Sequence, residues 1–482
     1  LVQLTIIVLY MVVMVVIGIV SRKPAQDADG FFVASRRGST LWITGSLVAT
    51  IIGGSATVGV AGLGFSRGLT GAWWLLVGSI GLVVLGLFLA RRVRRFAVYT
   101  LPELAEKQYD RRVGLAASVL IVIAWLGVIA GQIVATGKIL SALGIGDPAL
   151  WMVIFTAVVV FYTALGGQYA DIRTDLVQAV LIFIGIFAGL ALLLSQLGGF
   201  AGLSSALSPD KFSFPLSSKF GPVDFIGYLL LFGLPYVVGP DMYSRIFSAR
   251  DEKTARASTL WAALFIAPIA FAAALVGMGA AVLFPGISSE QAFPMVAGSA
   301  LPPLVGGLVL AGLVSATMSS ADSCLLSAST ILTVDIVKRF KPSLGERRVL
   351  LIARWGIVIL GLLSLLLALA LKGVISSLMF AYTVFTAGVI IPVLFGFYKN
   401  KLRVTPAGAL AAIIGGGGTA LISKLPTLAD VSGVPLISNL VAIKHLDLWS
   451  LAVSAVLLFL VSFLDNCWRH RSSVIDSGHA IK

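Results

Sequence analysis

Apolar residues in this chain come in runs of about 20, the length of a bilayer-spanning helix, and polar residues gather between the runs. Thirteen runs are predicted: 1–20, 40–67, 71–92, 114–141, 149–166, 172–196, 223–245, 254–285, 300–337, 347–371, 373–398, 405–423 and 446–466. The expected fold class is an all-α integral membrane protein. The first run lacks a small-residue cleavage site and reads as a membrane helix rather than a signal peptide.

The informative positions are the polar ones inside the runs. The helix predicted from about Leu301 to Val337 carries Ser319-Ser320-Ala321-Asp322-Ser323 near its middle. Ala316, Ser319, Ser320, Ser323 and Ser327 recur at helical spacing, so they line one face. An Asp near the bilayer centre costs about 2.5–3.5 kcal/mol on insertion scales and normally faces a partner or a water path. Close helix packing would explain the small residues, but it would not explain Asp322. Hard oxygens clustered on a buried stripe suit a dehydrated alkali cation.

Two other runs are interrupted. Gly53-Gly54-Ser55 breaks the second, and Gly233-Leu234-Pro235 through Gly239-Pro240 breaks the seventh. Unwound backbone in lipid is tolerated only where it faces protein, water or a ligand. Paired breaks at matching places in two halves point to a transporter site. Counted from the second run, they fall in helices one and six of a ten-helix core, an inverted 5+5 arrangement.

Composition agrees: 58% of the 482 residues are hydrophobic and 12% charged, with mean hydropathy +1.02. The net charge of +14 would admit a nucleic-acid binder, but its distribution argues otherwise. With the N-terminus outside, only Arg67, Lys138, Lys211, Lys219, Lys372, Lys424 and Lys444 of the 35 Lys+Arg fall on the outer side. The rest gather on the other side, as in Arg91-Arg92-Val93-Arg94-Arg95 and from Arg245 to Arg256. The positive-inside rule then places the C-terminus in the cytoplasm of a plasma or inner membrane. The expected partners are the bilayer and a small solute, with no nucleic acid and no obligatory protein partner. The loops 198–222 and 425–444 leave no room for an appended domain, and 467–482 reads as a short polar tail. Gly415–Gly418 follows no strand and is no phosphate loop. Cys324 and Cys467 suggest neither a disulfide nor a metal site.

Several stretches resemble the sodium/solute symporter family. They are Asp29-Gly30-Phe31-Phe32-Val33-Ala34-Ser35-Arg36-Arg37, Thr100-Leu101-Pro102-Glu103, Tyr162 to Gly167, Thr174 to Gln178, and Ala316 to Asp335. The resemblance covers roughly 1–400. It implies a LeuT-type fold: an extra N-terminal helix (1–20), inverted repeats over 40–196 and 223–398, and two C-terminal helices over 405–466. It also implies a sodium site made from the carbonyls of Ala49 and Ile52 with the Ala316 carbonyl, Ser319 and Ser320. The break at Gly53-Gly54 would free carbonyls from Ala49 onward by removing their i+4 donors. Five neutral oxygens suit a monovalent cation better than a divalent one.

Some family members hold a second sodium, which Asp175, Ser319 and Ser323 match here. Asp322 stands where such members can carry a hydroxyl. Two carboxylates at one site repel unless a cation or proton lies between them. A second sodium, a proton on Asp322, or a different facing of Asp322 would each resolve this. Asp175 could also be a helix-end carboxylate paired with Arg173 or another Arg.

For the solute, family sugar carriers place polar side chains where this chain has Ala56 and Leu75, so hexose fits poorly. The proline carriers' Asp is replaced by Ile51, whereas Phe232 and Tyr236 fall near their aromatic gate. The expected pocket comprises Ser55, Ala56, Thr57, Trp125, Gln132, Phe232 and Tyr236, with Tyr228 nearby. No mid-membrane Arg or Lys is expected to pair a free anion. Amides of the broken helix could hold a carboxylate. The resulting expectation is sodium symport of an amino acid such as proline, or of a monocarboxylate. The rivals are a proton-coupled carrier using Asp175 and Asp322, and a sodium/sugar carrier. No pore motif suggests a channel, and no nucleophile–base set suggests an enzyme.

Overall fold

The structure is a computed structural model describing residues 2–22, 25–144, 146–371, 373–424 and 445–479. Among these residues, eleven helices are long and apolar enough to cross a bilayer. They are α1 (Val2–Val20), α3 (Ser55–Arg95), α4 (Arg111–Ser141), α5 (Pro148–Gln196), α6 (Pro222–Ser248), α7 (Glu252–Leu283), α8 (Pro303–Phe340), α9 (Glu346–Ala370), α10 (Val374–Gly396), α11 (Pro406–Lys424) and α12 (Leu446–Arg469). A shorter apolar helix, α2 (Thr40–Ile51), precedes α3.

Eleven differs from thirteen because two elements each cover two predicted runs. α3 has 41 residues and α5 has 49, roughly twice what one crossing needs. Each contains a glycine outside helical geometry, Gly68 (φ 77°, ψ −147°) and Gly167 (φ 52°, ψ −150°). A Cβ on Gly167 would lie 2.6 Å from the Phe31 carbonyl oxygen, so glycine meets both a backbone and a packing demand there. The loop 425–444 lies outside the described residues. Part of the predicted polar tail is helical, since the last helix continues to His479.

Local chemistry sets the helix starts. Asp110 caps α4 by accepting from the Arg112 and Val113 amides, both at 3.0 Å. Thr100 and Glu103 cap the short helix Leu101–Gln108 reciprocally: Thr100 Oγ1 accepts from the Glu103 amide, and a Glu103 carboxylate oxygen accepts from the Tyr99 amide.

α8 is the axis of the bundle. Its apolar window is 83% buried, against 28% for α1 and 33% for α12, which face lipid. α8 packs against α1, α4, α5 and α9, while α2 lies against α5 and α7. The hydroxyl stripe of α8 is thereby turned towards the break after α2.

Candidate cation and solute sites

α2 stops at Ile51, and Ile52 leaves helical geometry (φ −86°, ψ 71°) before the chain turns helical again at Ser55. The freed groups find partners across the core. The Gly54 amide, which would close a helical turn on Thr50, donates to Gln132 Oε1 at 2.6 Å. The Thr50 carbonyl accepts from Ser320 Oγ at 2.6 Å. The Ala49 carbonyl accepts from Ser319 Oγ at 2.8 Å, and the same hydroxyl lies 3.0 Å from the Ala316 carbonyl. The Ala56 amide, which would close on Ile52, turns to the Gly53 carbonyl at 3.0 Å.

Ala49, Ala316, Ser319 and Ser320 are therefore brought together between α2 and α8. Ser320 meets the carbonyl of Thr50, the residue after Ala49. A Cβ added at Gly53 would sit 2.4 Å from Ser320 Oγ, so the Ile52–Gly53 backbone also passes this hydroxyl.

One turn further along α8 lies a buried charge cluster. Asp171, Asp175 and Asp322 each offer an oxygen, and these lie within 4.8 Å of one another. Arg245 joins them. Its guanidinium donates to Asp171 Oδ2 at 2.5 Å, Asp175 Oδ2 at 3.1 Å, Ser46 Oγ at 3.1 Å and Ser244 Oγ at 2.9 Å, and it also contacts Ser323 Oγ. All four charged side chains are at most 1% exposed. Two expectations are corrected here. Arg245 does not belong to the solvated basic run ending at Arg256: it is fully buried, with its guanidinium on Ser46, Asp171, Asp175 and Ser323 of neighbouring helices. A cation therefore does stand inside the core, already committed to carboxylates.

Asp322 is held by Tyr162, whose hydroxyl donates to Oδ2 at 2.5 Å, and by the Ser323 amide on Oδ1 at 2.7 Å. Asp175 Oδ2 accepts from Ser46 Oγ at 2.5 Å, while its Oδ1 is buried with no hydrogen-bond partner among the described residues. Ser323 Oγ reaches the Ser319 carbonyl at 2.6 Å, which links this cluster to the first set of oxygens.

The predicted solute residues divide. Ser55, Ala56 and Thr57 follow the break and Gln132 bonds its Gly54 amide; all four are buried, as are Phe232 and Tyr236. The Thr57 hydroxyl is taken by the Gly53 carbonyl at 3.0 Å. Phe232 stacks obliquely on Trp74 (4.7 Å between centroids), and both Phe232 and Tyr236 pack on Tyr382 of α10. Trp125 packs on Phe385, one turn beyond Tyr382, and its buried indole nitrogen has no partner among the described residues. Tyr228 packs on Trp74 and Phe232 and accepts a hydrogen bond from Arg67 at 3.2 Å.

A model of the sodium:solute symporter family matches residues 31–416. The chain belongs to this family. The symporter's relatives include a sodium/glucose cotransporter of Vibrio parahaemolyticus, 24% identical and covering 87% of this chain and 84% of its own. The high-affinity proline transporter PutP of Bacillus subtilis is 26% identical, covering 86% and 91%. Among solved structures, a Na+-coupled sialic acid symporter in a substrate-bound outward-open state matches with TM-score 0.78 at 19% identity, over 96% and 98% of the two chains. MhsT in complex with L-phenylalanine matches at TM-score 0.50 and 18% identity, over 87% and 99%. The symporter has the LeuT-type fold, is a multi-pass membrane protein, and couples sodium to the movement of a small solute. Its family consists of transporters.

Sequence reasoning missed Asp171, Arg245, Tyr162, Trp74 and Tyr382. Asp171 had a signal, because it stands one helical turn from Asp175 on the same face. Arg245 had one too, in the apolar residues on either side of it.

Proposed function

We propose that this symporter takes up a small amino acid or monocarboxylate with one sodium held by Ala49, Ile52, Ala316, Ser319 and Ser320. The observation carrying this reading is the Ser319 hydroxyl between the Ala49 and Ala316 carbonyls, at 2.8 and 3.0 Å, on the two helices a cation would join. The proposed solute pocket adjoins it, bounded by Ser55, Ala56, Thr57, Gln132, Phe232, Tyr236, Trp125 and the ring of Tyr382. Gln132 and the Gly54 amide can exchange their mutual bond for bonds to a solute carboxylate, and the unpartnered Trp125 indole offers a further donor. The sugar and proline relatives stand at similar identity, so the choice of solute rests on this pocket.

A second cation at Asp175, Asp322, Ser319 and Ser323, with Asp171 added, is supported by the unpartnered Asp175 Oδ1. The same oxygen could carry a proton, which is the second reading. Arg245 neutralises only one of three carboxylates. One sodium entering at 100 mV gains about 2.3 kcal/mol, and a tenfold gradient adds about 1.4 kcal/mol. A single ion thus supports roughly 500-fold accumulation of a neutral solute.

The architecture we assign is thirteen crossings, with α3 and α5 each folding back at a glycine. An extra N-terminal helix (1–20) precedes repeats over 40–196 and 223–398, and two helices over 405–466 follow. Basic side chains concentrate at the end bearing Arg91–Arg95, which we take as cytoplasmic, with the N-terminus outside.

The test is uptake into proteoliposomes of proline, other amino acids, monocarboxylates and glucose, in sodium or choline and across pH. Ser319→Ala plus Ser320→Ala should abolish sodium-dependent uptake and the sodium-induced rise in melting midpoint. Unchanged sodium affinity in that variant would remove these hydroxyls from the site.

A further inference from the structure

We infer that the end of the bundle bearing Arg91–Arg95 holds a specific site for an anionic phospholipid. Its phosphate would sit between Arg37 and Arg173, and an acyl chain would lie along α2 and α5. The headgroup half is a cavity of about 150 Å³ lined by Arg37, Trp42, Tyr169 and Arg173, among others. Arg173 lies 4.8 Å from the centre of the Tyr169 ring. Neither arginine forms an ion pair among the described residues. The contrast is with Arg36, which is occupied by the Ala97 and Val98 carbonyls at 3.1 and 3.4 Å. Ala34, Ser35 and Arg36 are all left-handed (φ 47°, 52° and 55°), and Arg37 emerges from this turn exposed. Two guanidinium groups line this one cavity, and a guanidinium is the side chain that binds phosphate oxygens in a two-pronged fork.

The second half is a groove of about 270 Å³ whose lining includes Leu41 and Val48 of α2, and Leu176, Val180 and Phe183 of α5. Its lining residues neighbour those of the basic cavity along the chain. Leu41 adjoins Trp42, and Leu176 is one turn beyond Arg173, on the same two helices. An apolar groove on the same two helices as a two-arginine cavity fits an amphiphile, whereas a free anion would use the cavity alone. Leu41 is 66% exposed and Trp42 38%, so this surface faces the membrane, with an indole at its polar border. The cavity lies at the basic end of the bundle: Gly38 donates to the Ser248 carbonyl at 3.0 Å, and Arg94 to the Ala249 carbonyl at 2.6 Å.

The experiment is native mass spectrometry of the full-length purified symporter, delipidated and then offered dioleoyl phosphatidylglycerol or phosphatidylcholine. The wild type should retain phosphatidylglycerol preferentially. Each basic side chain near an anionic lipid surface is worth about fivefold, so Arg37→Ala plus Arg173→Ala should lower retention about 25-fold. Val180→Trp fills the groove while keeping both arginines, and should lose the lipid too. Arg347→Ala plus Arg348→Ala, which removes two exposed charges elsewhere, should not. Wild-type retention in either site variant would overturn the proposal, as would equal loss in the control. Displacement of the lipid by inorganic phosphate, with Val180→Trp unaffected, would make this a free-anion site and also overturn it.

Discussion

Arg245→Met tests the buried cluster most directly, because it keeps a long side chain and removes the charge. Its guanidinium stands 2.5 and 3.1 Å from carboxylates of Asp171 and Asp175, and none of the three side chains is more than 1% exposed. At about 3 Å and an effective dielectric near 20, each charge pair is worth roughly 5 kcal/mol before desolvation. Orphaning one member of a buried pair costs about 3–5 kcal/mol in practice. The variant should lose stability of that order, a fall of several degrees in melting midpoint. Adding Asp171→Asn removes one negative charge along with the positive one, so the cluster keeps its wild-type net charge. The double variant should then recover at least half of the loss, as groups in contact couple rather than add. Sodium should raise the midpoint of Arg245→Met more than that of the wild type, since a free cation can replace the missing one, and choline should not. Melting followed by tryptophan fluorescence in each salt reads all of this. A midpoint for Arg245→Met within one degree of wild type would refute the reasoning. So would an Asp171→Asn effect that simply adds to the first.

Two further outcomes follow from the same geometry. Tyr236→Ala removes the ring that packs on Tyr382 beside the proposed pocket, so solute affinity should fall about tenfold or uptake should lose its tight coupling; normal KM with normal coupling excludes Tyr236. If a second sodium uses the unpartnered Asp175 Oδ1, uptake should follow sodium with a Hill coefficient above one, and Asp175→Asn should bring it towards one while Arg245 keeps Asp171 as its partner; a wild-type coefficient of one, with one charge moved per solute, excludes the second ion.

Much of this protein was legible in its sequence because a bilayer leaves few options. Backbone polar groups must be satisfied within each spanning segment, so hydropathy alone sets the helices, and a break at Gly53-Gly54 can persist only where something receives its carbonyls and amides. The α8 stripe was legible for a related reason, since residues three and four apart must share a face. Tertiary structure decided what those positions meet. Ser320 finds the Thr50 carbonyl free because Gln132, from a distant helix, takes the Gly54 amide that would have closed on it. Arg245 read as part of a basic loop because charge density in a sequence carries no depth; only the packing of α6 against α2, α5 and α8 carries it to Asp171 and Asp175. The fused lengths of α3 and α5 likewise turn on the conformation of single glycines. Periodicity is a property of one segment, whereas the partner of a buried charge is a property of four helices at once, and that is where the sequence stopped.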